Sequence, residues 1–553
     1  MSKNLRALSS KKGIENNLFN KMGELAQETG TLSEEELKKL ADEFLIGNAN
    51  TFGVSTFYDF LKPENKGKKA YVCNGSACLC AGTQDQVQIE LEKHLDPSEI
   101  GHMTCLGRCH ENGAFQYNGK NYSKKSSVEV SQIIKYEMMD HNDNYRVVSD
   151  SVDALTRDFE GFDFLKELIQ KTLNKTSAEC LQEIQDSQIR GRGGAGFPMG
   201  IKLKSAKDTP ADIRYIVCNA DEGDPGAYSD RYLMEKQPFM VLYGMIAAGY
   251  AMDSNWGILY IRAEYPDSSV IIQDAIDKLK ELGFAGENIL GSGFDFHFKI
   301  IRAQGSYICG EETALLSSIE GQRPEVRIRP PYPTQSGLFG KPTAVNNVET
   351  IAALYYIFKT SGKEYAKLGT EKSKGTKLIS LDGFFHKPGI YEIEMGTSLD
   401  AVINKLGGGF NAPVKAFHTG GPLGGIVPVH KINELNVDFE SFSEAGFLLG
   451  HATLVCIPEE FPMIEYLEHL FEFTSVESCG KCFPCRLGSK RGQELLLKAR
   501  TDESYKIDSE LFNDLLDTLE QGSLCALGGG LPLPVRNALM YFQDELKEYF
   551  NKA

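Results

Sequence analysis

Between Ile14 and Leu45 the apolar residues Leu18, Met22 and Leu25, then Leu37, Leu40 and Leu45, recur at the spacing that lines one face of a helix. Two helices are predicted there. Gly30 suits the end of the first, and Ser33 followed by Glu36 is the capping-box signal that opens the second. Lys69 to Cys73 then reads as a short strand, Thr83 to His94 as a helix, and Ala114 to Tyr122 as a hairpin turning at Asn118-Gly119. These make a small α/β unit. Past an Asp-rich, charged stretch from Asp140 to Asp150, helices, apolar strands such as Tyr215 to Cys218 and glycine-rich loops alternate to about residue 365. A strand-rich segment with Gly/Pro turns follows, including Gly383 to Tyr391 and Gly420 to Pro428. From Phe461 the helical period returns, broken by a cysteine-rich loop at Ser478 to Cys485 and a glycine-rich loop at Ala526 to Gly530.

With 553 residues the chain exceeds the size at which one core keeps growing, so several domains are expected. A net charge of −17 argues against binding along a nucleic-acid backbone, which needs a basic surface. The start is positively charged but has no apolar stretch behind it, so it does not read as a secretory signal. The longest mainly apolar stretch, Val241 to Met252, is too short to span a bilayer. A soluble cytoplasmic protein is expected. In that compartment 13 cysteines, an odd number grouped at short spacings, favour cluster or metal ligation over disulfides.

Three constellations carry chemistry. Cys479, Cys482 and Cys485 step along one loop, with Cys525 as a remote fourth, an arrangement that suits a [4Fe-4S] cluster. Cys73 and Cys78, then Cys105 and Cys109, follow two strands of the small α/β unit and suit a [2Fe-2S] cluster. Structural zinc is the alternative at both sites. Cys80 reads as a spare thiol, and Cys218 and Cys309 as small apolar residues.

The third constellation is Gly191-Arg192-Gly193-Gly194-Ala195-Gly196, which has the form G-x-G-x-x-G. The Ala178 to Gln188 segment before it looks helical, so the ordinary dinucleotide fingerprint, which follows a strand, is not met. A phosphate cradle supported by Arg192 and Lys202, or a purely structural turn, remain the two readings. Polar clusters at Asn219 to Gly226 and Tyr307 to Thr313 favour a ligand site.

The segments GRGGAGFPMGIK (191–202), NADEGDPGAYSDR (219–231), GSYICGEETAL (305–315), RPPYP (329–333), GKPTAVNNVET (340–350) and SCGKCFPC (478–485) closely resemble the NADH-binding flavoprotein subunit of respiratory complex I. The same segments resemble its relatives in NAD-dependent formate dehydrogenases and hydrogenases. GVSTFYDF (53–60) and the first cysteine set resemble the companion thioredoxin-like [2Fe-2S] subunit, so two subunits look fused.

The resemblance implies an α/β multidomain protein: a helical lead-in (1–65), a thioredoxin-like [2Fe-2S] domain (66–145) and a Rossmann-like FMN- and NADH-binding domain (150–365). A β-grasp domain (376–456) and a helical [4Fe-4S] domain (460–553) complete it. FMN is implied along Gly191, Arg192, Gly193 and Lys202, with Asn219, Asp221, Tyr307, Gly310, Glu311, Asn346 and Asn347. NAD(H) is implied to meet Phe197, Asp224, Glu312, Arg329 and Tyr332. The family commonly has Glu, Lys and Phe where this chain has Asp224, Arg329 and Tyr332, and an aromatic near Ser205. No side chain is implied as nucleophile or base, because hydride passes to flavin. The function implied is an NADH dehydrogenase (diaphorase) subunit of a formate dehydrogenase or hydrogenase complex, whose other iron-sulfur and catalytic subunits do the terminal chemistry. The alternative is a non-catalytic electron-transfer scaffold.

Overall fold

In the computed structural model, residues 14–15, 17–29, 32–136 and 145–551 are described. Gly30 and residues 140–144 of the Asp140 to Asp150 stretch lie outside them, as does the charged N-terminal start.

Alternation along apolar strands decides how the layers of the central region stack. Strands β6 (Tyr215–Ala220), β7 (Trp256–Ile261), β8 (His297–Arg302) and β9 (Thr343–Asn347) form an all-parallel sheet of order β8-β7-β6-β9. Parallel sheets need cover on both faces. Ile216, Cys218, Leu259 and Ile261 point to one face and share a core with the helices Pro238–Ala251, Pro266–Glu281 and Val348–Lys359. Tyr215, Val217, Ile258, Tyr260 and Ile301 point to the other. That second face is covered by Leu315, Leu316 and Ile319, by Leu18, Phe19, Met22, Leu37 and Leu40 of the N-terminal helices, and by Tyr58 after them. The apolar stretch near Val241 is therefore a core helix of 14 residues. Among the described residues no helix is long and apolar enough to cross a membrane.

The N-terminal helices are Leu18–Thr29, Glu34–Glu43 and Asn48–Ser55. The second carries the expected capping box: Ser33 Oγ accepts the Glu36 N–H at 3.3 Å, and Glu36 Oε2 accepts the Ser33 N–H at 2.7 Å. The third escapes periodicity because its sequence, rich in Asn, Thr and Gly, buries only Thr51, Val54 and Ser55. Docking is reinforced by Asn17 Nδ2 to Ile319 O (2.6 Å), Asn20 Nδ2 to Ile300 O (3.1 Å) and Tyr58 Oη to Gln322 O (3.2 Å).

The small unit has β1 (Ala70–Cys73), β2 (Ile100–Met103), β3 (Phe115–Tyr117) and β4 (Lys120–Tyr122) in the order β2-β1-β3-β4. Helix Gln84–Glu92 and the β3–β4 hairpin match the sequence reading. A six-stranded sheet, order β13-β12-β14-β10-β11-β5, comprises β5 (Arg146–Ser149), β10 (Thr376–Leu381), β11 (Gly389–Glu394), β12 (Val414–Thr419), β13 (Ile426–Pro428) and β14 (Thr453–Pro458). In the two segments read as strands with Gly/Pro turns, residues 383–388 and 420–425 are the turns leading into β11 and β13. β5 pairs in parallel with β11 although it precedes the central region in the chain. At the C-terminal end, helices Met463–Glu477, Ser489–Thr501, Ser509–Gly522 and Pro532–Tyr541 pack around Leu467, Leu470, Leu496, Leu516 and Val535.

Candidate functional site

The parallel sheet delivers its polar residues to one edge, the C-terminal ends of the strands, where α/β sheets bind ligands. Asn219 lies at the end of β6 and Asp221 just after it, and Asn346 and Asn347 end β9. The turn Tyr307–Gly310 and the helix Glu312–Ile319 follow β8. Asn219 Nδ2 donates to Gly310 O at 2.9 Å, which joins two of these loops. Burial raises the Asp221 carboxyl well above its ordinary range.

The glycine run lies on the same edge. A helix, Ser177–Asp186, precedes it, and the run turns back through an Arg190–Pro198 bridge into the helix Met199–Asp208. The strand-turn-helix fingerprint is thus absent, as the sequence indicated. Gly193 allows a close approach, since a Cβ there would lie 2.9 Å from Asn347 Cβ. Asn347 also caps the helix Val348–Lys359: its Oδ1 accepts the N–H groups of Glu349 (2.9 Å) and Thr350 (3.3 Å). Thr350 Oγ1 in turn accepts the Arg192 N–H at 2.8 Å.

The charged residues are more engaged with each other than sequence could show. Arg192 Nη2 donates to Lys374 O (2.5 Å) and Tyr365 Oη (3.3 Å). Lys202 Nζ donates to Val345 O (2.8 Å) and lies 3.4 Å from Glu312. Arg329 Nη1 meets Glu312 Oε1 at 3.0 Å and its Nη2 meets Glu311 at 3.5 Å. Glu311, not Glu312, caps the following helix, accepting from Thr313 N (2.9 Å) and Ala314 N (2.8 Å). Tyr307 Oη donates to Asp224 Oδ1 at 2.7 Å. Phe197 and Tyr332 stand at 50% and 53% exposure, available as ring surfaces rather than packed in the core. Ser205 donates to Thr334 Oγ1 at 2.8 Å.

An organic phosphate with a polar ring fits this donor set. Around the run, Arg192 Nε and Nη1, Asp221 Oδ2 and Asn346 Nδ2 are buried and lack protein hydrogen-bond partners. Groups of both polarities in that state call for a polar ligand.

Each of the two cysteine sets gathers in one place. Cys73, Cys78, Cys105 and Cys109 are all buried, with Cys105 Sγ 3.5 Å from Cys109 Sγ. Neighbouring thiols and burial raise Cys73 and Cys109 well above the ordinary thiol range, while the hydrogen bond with Cys73 lowers Cys78, so Cys73 and Cys109 would need bound cations to ligate as thiolates. Gly226 N–H donates to Cys109 Sγ at 3.2 Å, a bond that joins this loop to the edge of the parallel sheet. Cys80 faces away, into the core of the C-terminal helices. Cys479 and Cys485 are buried, and Cys482 and Cys525 pack beside them. Gly528 brings the glycine-rich loop close: a Cβ there would lie 2.7 Å from Cys485 Cβ. Cys218 and Cys309 are buried core thiols.

Three further contacts were not legible in the sequence. Glu477, at the end of the helix leading to Cys479, accepts the Tyr307 N–H at 2.7 Å. His469 of that helix lies 3.0 Å from Ser76 Oγ, in the first cysteine loop. His451 meets Asp230 at 3.2 Å. Each joins distant segments, for which a local pattern gives no signal.

Family models match three stretches: a thioredoxin-like [2Fe-2S] ferredoxin over residues 6–137, the Nuo51 FMN-binding domain over 184–356 and the NADH-ubiquinone oxidoreductase-F iron-sulfur binding region over 465–549. The F subunit of NADH-quinone oxidoreductase from Aquifex aeolicus is 41% identical over 387 residues, 70% of this chain and 89% of the relative. The HndC subunit of the NADP-reducing hydrogenase from Solidesulfovibrio fructosivorans is 40% identical over 383 residues, 69% of this chain and 78% of the relative. In fold, a chain of an NAD+-reducing [NiFe]-hydrogenase crystal structure superposes with a TM-score of 0.87 at 24% identity, covering 97% of this chain and 93% of that one. The chain belongs to the flavoprotein family that includes the F subunit of NADH-quinone oxidoreductase and its hydrogenase counterparts, with a thioredoxin-like [2Fe-2S] ferredoxin region ahead of the FMN-binding and [4Fe-4S] regions.

Proposed function

We propose that the chain oxidises NADH, or reduces NAD+, at an FMN held on the edge of the parallel sheet, and exchanges electrons with a [2Fe-2S] and a [4Fe-4S] cluster. The observation that carries this reading is the meeting of both cysteine sets with one edge, through Gly226 N–H to Cys109 Sγ and Glu477 to the Tyr307 N–H. When bound, FMN supplies the conversion between two-electron hydride chemistry and one-electron transfer. The protein's part is positioning and electrostatics.

In this reading Gly191, Arg192, Gly193 and Lys202 receive the flavin phosphate side, and Asn219, Asp221, Tyr307, Gly310, Glu311, Asn346 and Asn347 line the pocket. Asn219 orients the 307–310 turn by holding Gly310 O. Phe197 and Tyr332 offer rings to the nicotinamide nucleotide, and Asp224, Glu312 and Arg329 meet its polar parts. Cys73, Cys78, Cys105 and Cys109 hold the [2Fe-2S] cluster, and Cys479, Cys482, Cys485 and Cys525 the [4Fe-4S] cluster. The domains are those expected from sequence, 1–65, 66–145, 150–365, 376–456 and 460–553, with the fourth as a β-grasp domain joining the flavin and cluster domains.

The HndC likeness supports a hydrogenase as the parent complex, beside the formate dehydrogenase that the resemblance also implied. Co-purification of the chain with its partner subunits decides between them. NADH-dependent reduction of ferricyanide by the isolated chain, together with bound FMN, tests the catalytic reading. Clusters present without flavin or turnover would leave a scaffold.

A further inference from the structure

Asp230, on the first turn of the helix Ser229–Lys236, is 1% exposed, and its carboxylate must be compensated where it lies. Its Oδ2 accepts Asn347 Nδ2 at 2.5 Å and lies 3.2 Å from His451 Nε2, while Oδ1 has no hydrogen-bond partner. His451 comes from a different layer, the Gly450-His451 turn before β14 of the six-stranded sheet, and is itself 5% exposed. A second buried carboxylate, Glu222, lies 3.8 Å from the same Nε2. Burial alone would lower the imidazole pKa, but Asp230 more than offsets it and the group stands at about 9. Lys377 and Asp224 are the other charged groups that act on it.

The significance lies in what Asp230 touches next. Asn347 Nδ2 is its donor, and the Asn347 side chain is the surface that Gly193 must approach without a Cβ. The same amide caps the helix whose Thr350 holds the Arg192 N–H. We propose that His451 is a positioning residue for the flavin pocket: bridging Asp230 and Glu222, it holds Asp230 so that the Asn347 amide stays fixed against Gly193. This rests on the reading that Asn347 and the glycine run bind FMN.

Glu222, Asp230 and His451 also have ligand atoms within 4.8 Å of one another, close enough for a metal ion. Glu222 is already committed, however. It accepts the N–H groups of Asp230 (2.9 Å) and Arg231 (3.0 Å) and the hydroxyls of Tyr265 (3.2 Å) and Ser229 (3.4 Å). A protonated imidazole offsets one of the two carboxylate charges with no ion, and burial, with Asp230 beside it, raises the Glu222 carboxyl to about 7, which lessens the other.

The test uses the full chain with clusters loaded. FMN affinity is read from the fluorescence of released flavin, and folding from the thermal midpoint and the cluster signals. His451→Ala should weaken FMN binding about tenfold, the effect of removing one buried hydrogen bond. His451→Gln, which keeps an N–H toward Asp230, should recover most of that loss. So should adding Asp230→Asn to His451→Ala, because the charge that needed His451 is gone. Unchanged FMN affinity in a folded His451→Ala chain overturns the proposal, as does a loss that neither rescue reduces. Stoichiometric zinc or manganese in the wild type that disappears in His451→Ala overturns it in favour of a metal site. If His451→Ala does not fold, His451→Leu, which fills the space without an N–H toward Asp230, takes its place, and FMN affinity equal to wild type in that folded variant overturns the proposal. Asn347→Ala separates the two layers of argument: no loss of FMN there removes Asn347 from the pocket, whereas loss there with none in His451→Ala removes only His451.

Discussion

Glu312 shows how far a single residue could be read in advance. The resemblance implies a place at the nucleotide, and a carboxylate at a helix start could equally serve as a cap. The cap belongs to Glu311, while Glu312 sits between Arg329 (3.0 Å) and Lys202 (3.4 Å). Its charge is thus already shared, which weakens any repulsion of a 2′-phosphate and gives Glu312 a second effect: it occupies two cations that would otherwise welcome that phosphate. Glu312→Ala should lower the KM for NADPH by about tenfold, with flavin content unchanged, since one unit of charge interaction at a half-open site is worth roughly 1.4 kcal/mol. Steady-state kinetics with both nucleotides checks it, and an unchanged NADH/NADPH preference in a stable, flavin-loaded variant removes Glu312 from selectivity. His418 was not singled out by any local pattern, yet its burial lowers its pKa to about 4. It is held neutral, 2.9 Å from Tyr466 Oη and 3.3 Å from Gly424 O. A folded pKa below the unfolded value of about 6.5 gives stability that is present above pH ~6.5 and is lost as pH falls toward 4. The stability gap between wild type and His418→Gln should therefore narrow by up to about 1.4 kcal/mol per pH unit below pH ~6, which denaturant unfolding at pH 7 and pH 5 measures. A gap independent of pH contradicts a neutral buried imidazole.

At the scale of elements, period and capping found what is local. The helices around Leu18 and Leu37, the β3–β4 hairpin and the helix before the glycine run all stand where the sequence put them. The helix Asn48–Ser55 and strand β5 did not show, because the first lacks an apolar stripe and the second is four residues whose partner, β11, lies over two hundred positions away. Nor could the sequence tell that the N-terminal helices close one face of the parallel sheet. That closure has a direct consequence. Removing residues 1–61 would bare Tyr215, Val217, Ile258, Tyr260 and Ile301, each worth about 1.5–3 kcal/mol of burial. The truncated chain should aggregate or bind a hydrophobic dye and fail to retain FMN, whatever the state of the [4Fe-4S] region. A monodisperse, flavin-loaded 62–553 chain by size exclusion would show that the helices are dispensable cover.

Over the whole molecule, the motifs told which cofactor each region serves but not how the regions meet, since the hydrogen bonds and apolar contacts that join them come from remote segments. Gly226 to Cys109, Glu477 to Tyr307 and His469 to Ser76 tie the first cysteine loop, the sheet edge and the last helical region into one arrangement. Because an artificial acceptor can take electrons at the flavin, Cys105→Ser should abolish the [2Fe-2S] paramagnetic signal and leave NADH-ferricyanide activity largely intact. Equal loss of both would mean that the first loop is needed to build the flavin site. The most direct test of the account is an anaerobic titration of the isolated chain with NADH, followed by visible absorption and electron paramagnetic resonance. The account predicts that NADH bleaches bound flavin and brings up a reduced [4Fe-4S] signal in the wild type, and that Cys482→Ser keeps the bleaching but loses the signal. Flavin that does not bleach, or zinc in place of iron at Cys479, Cys482, Cys485 and Cys525, would contradict it.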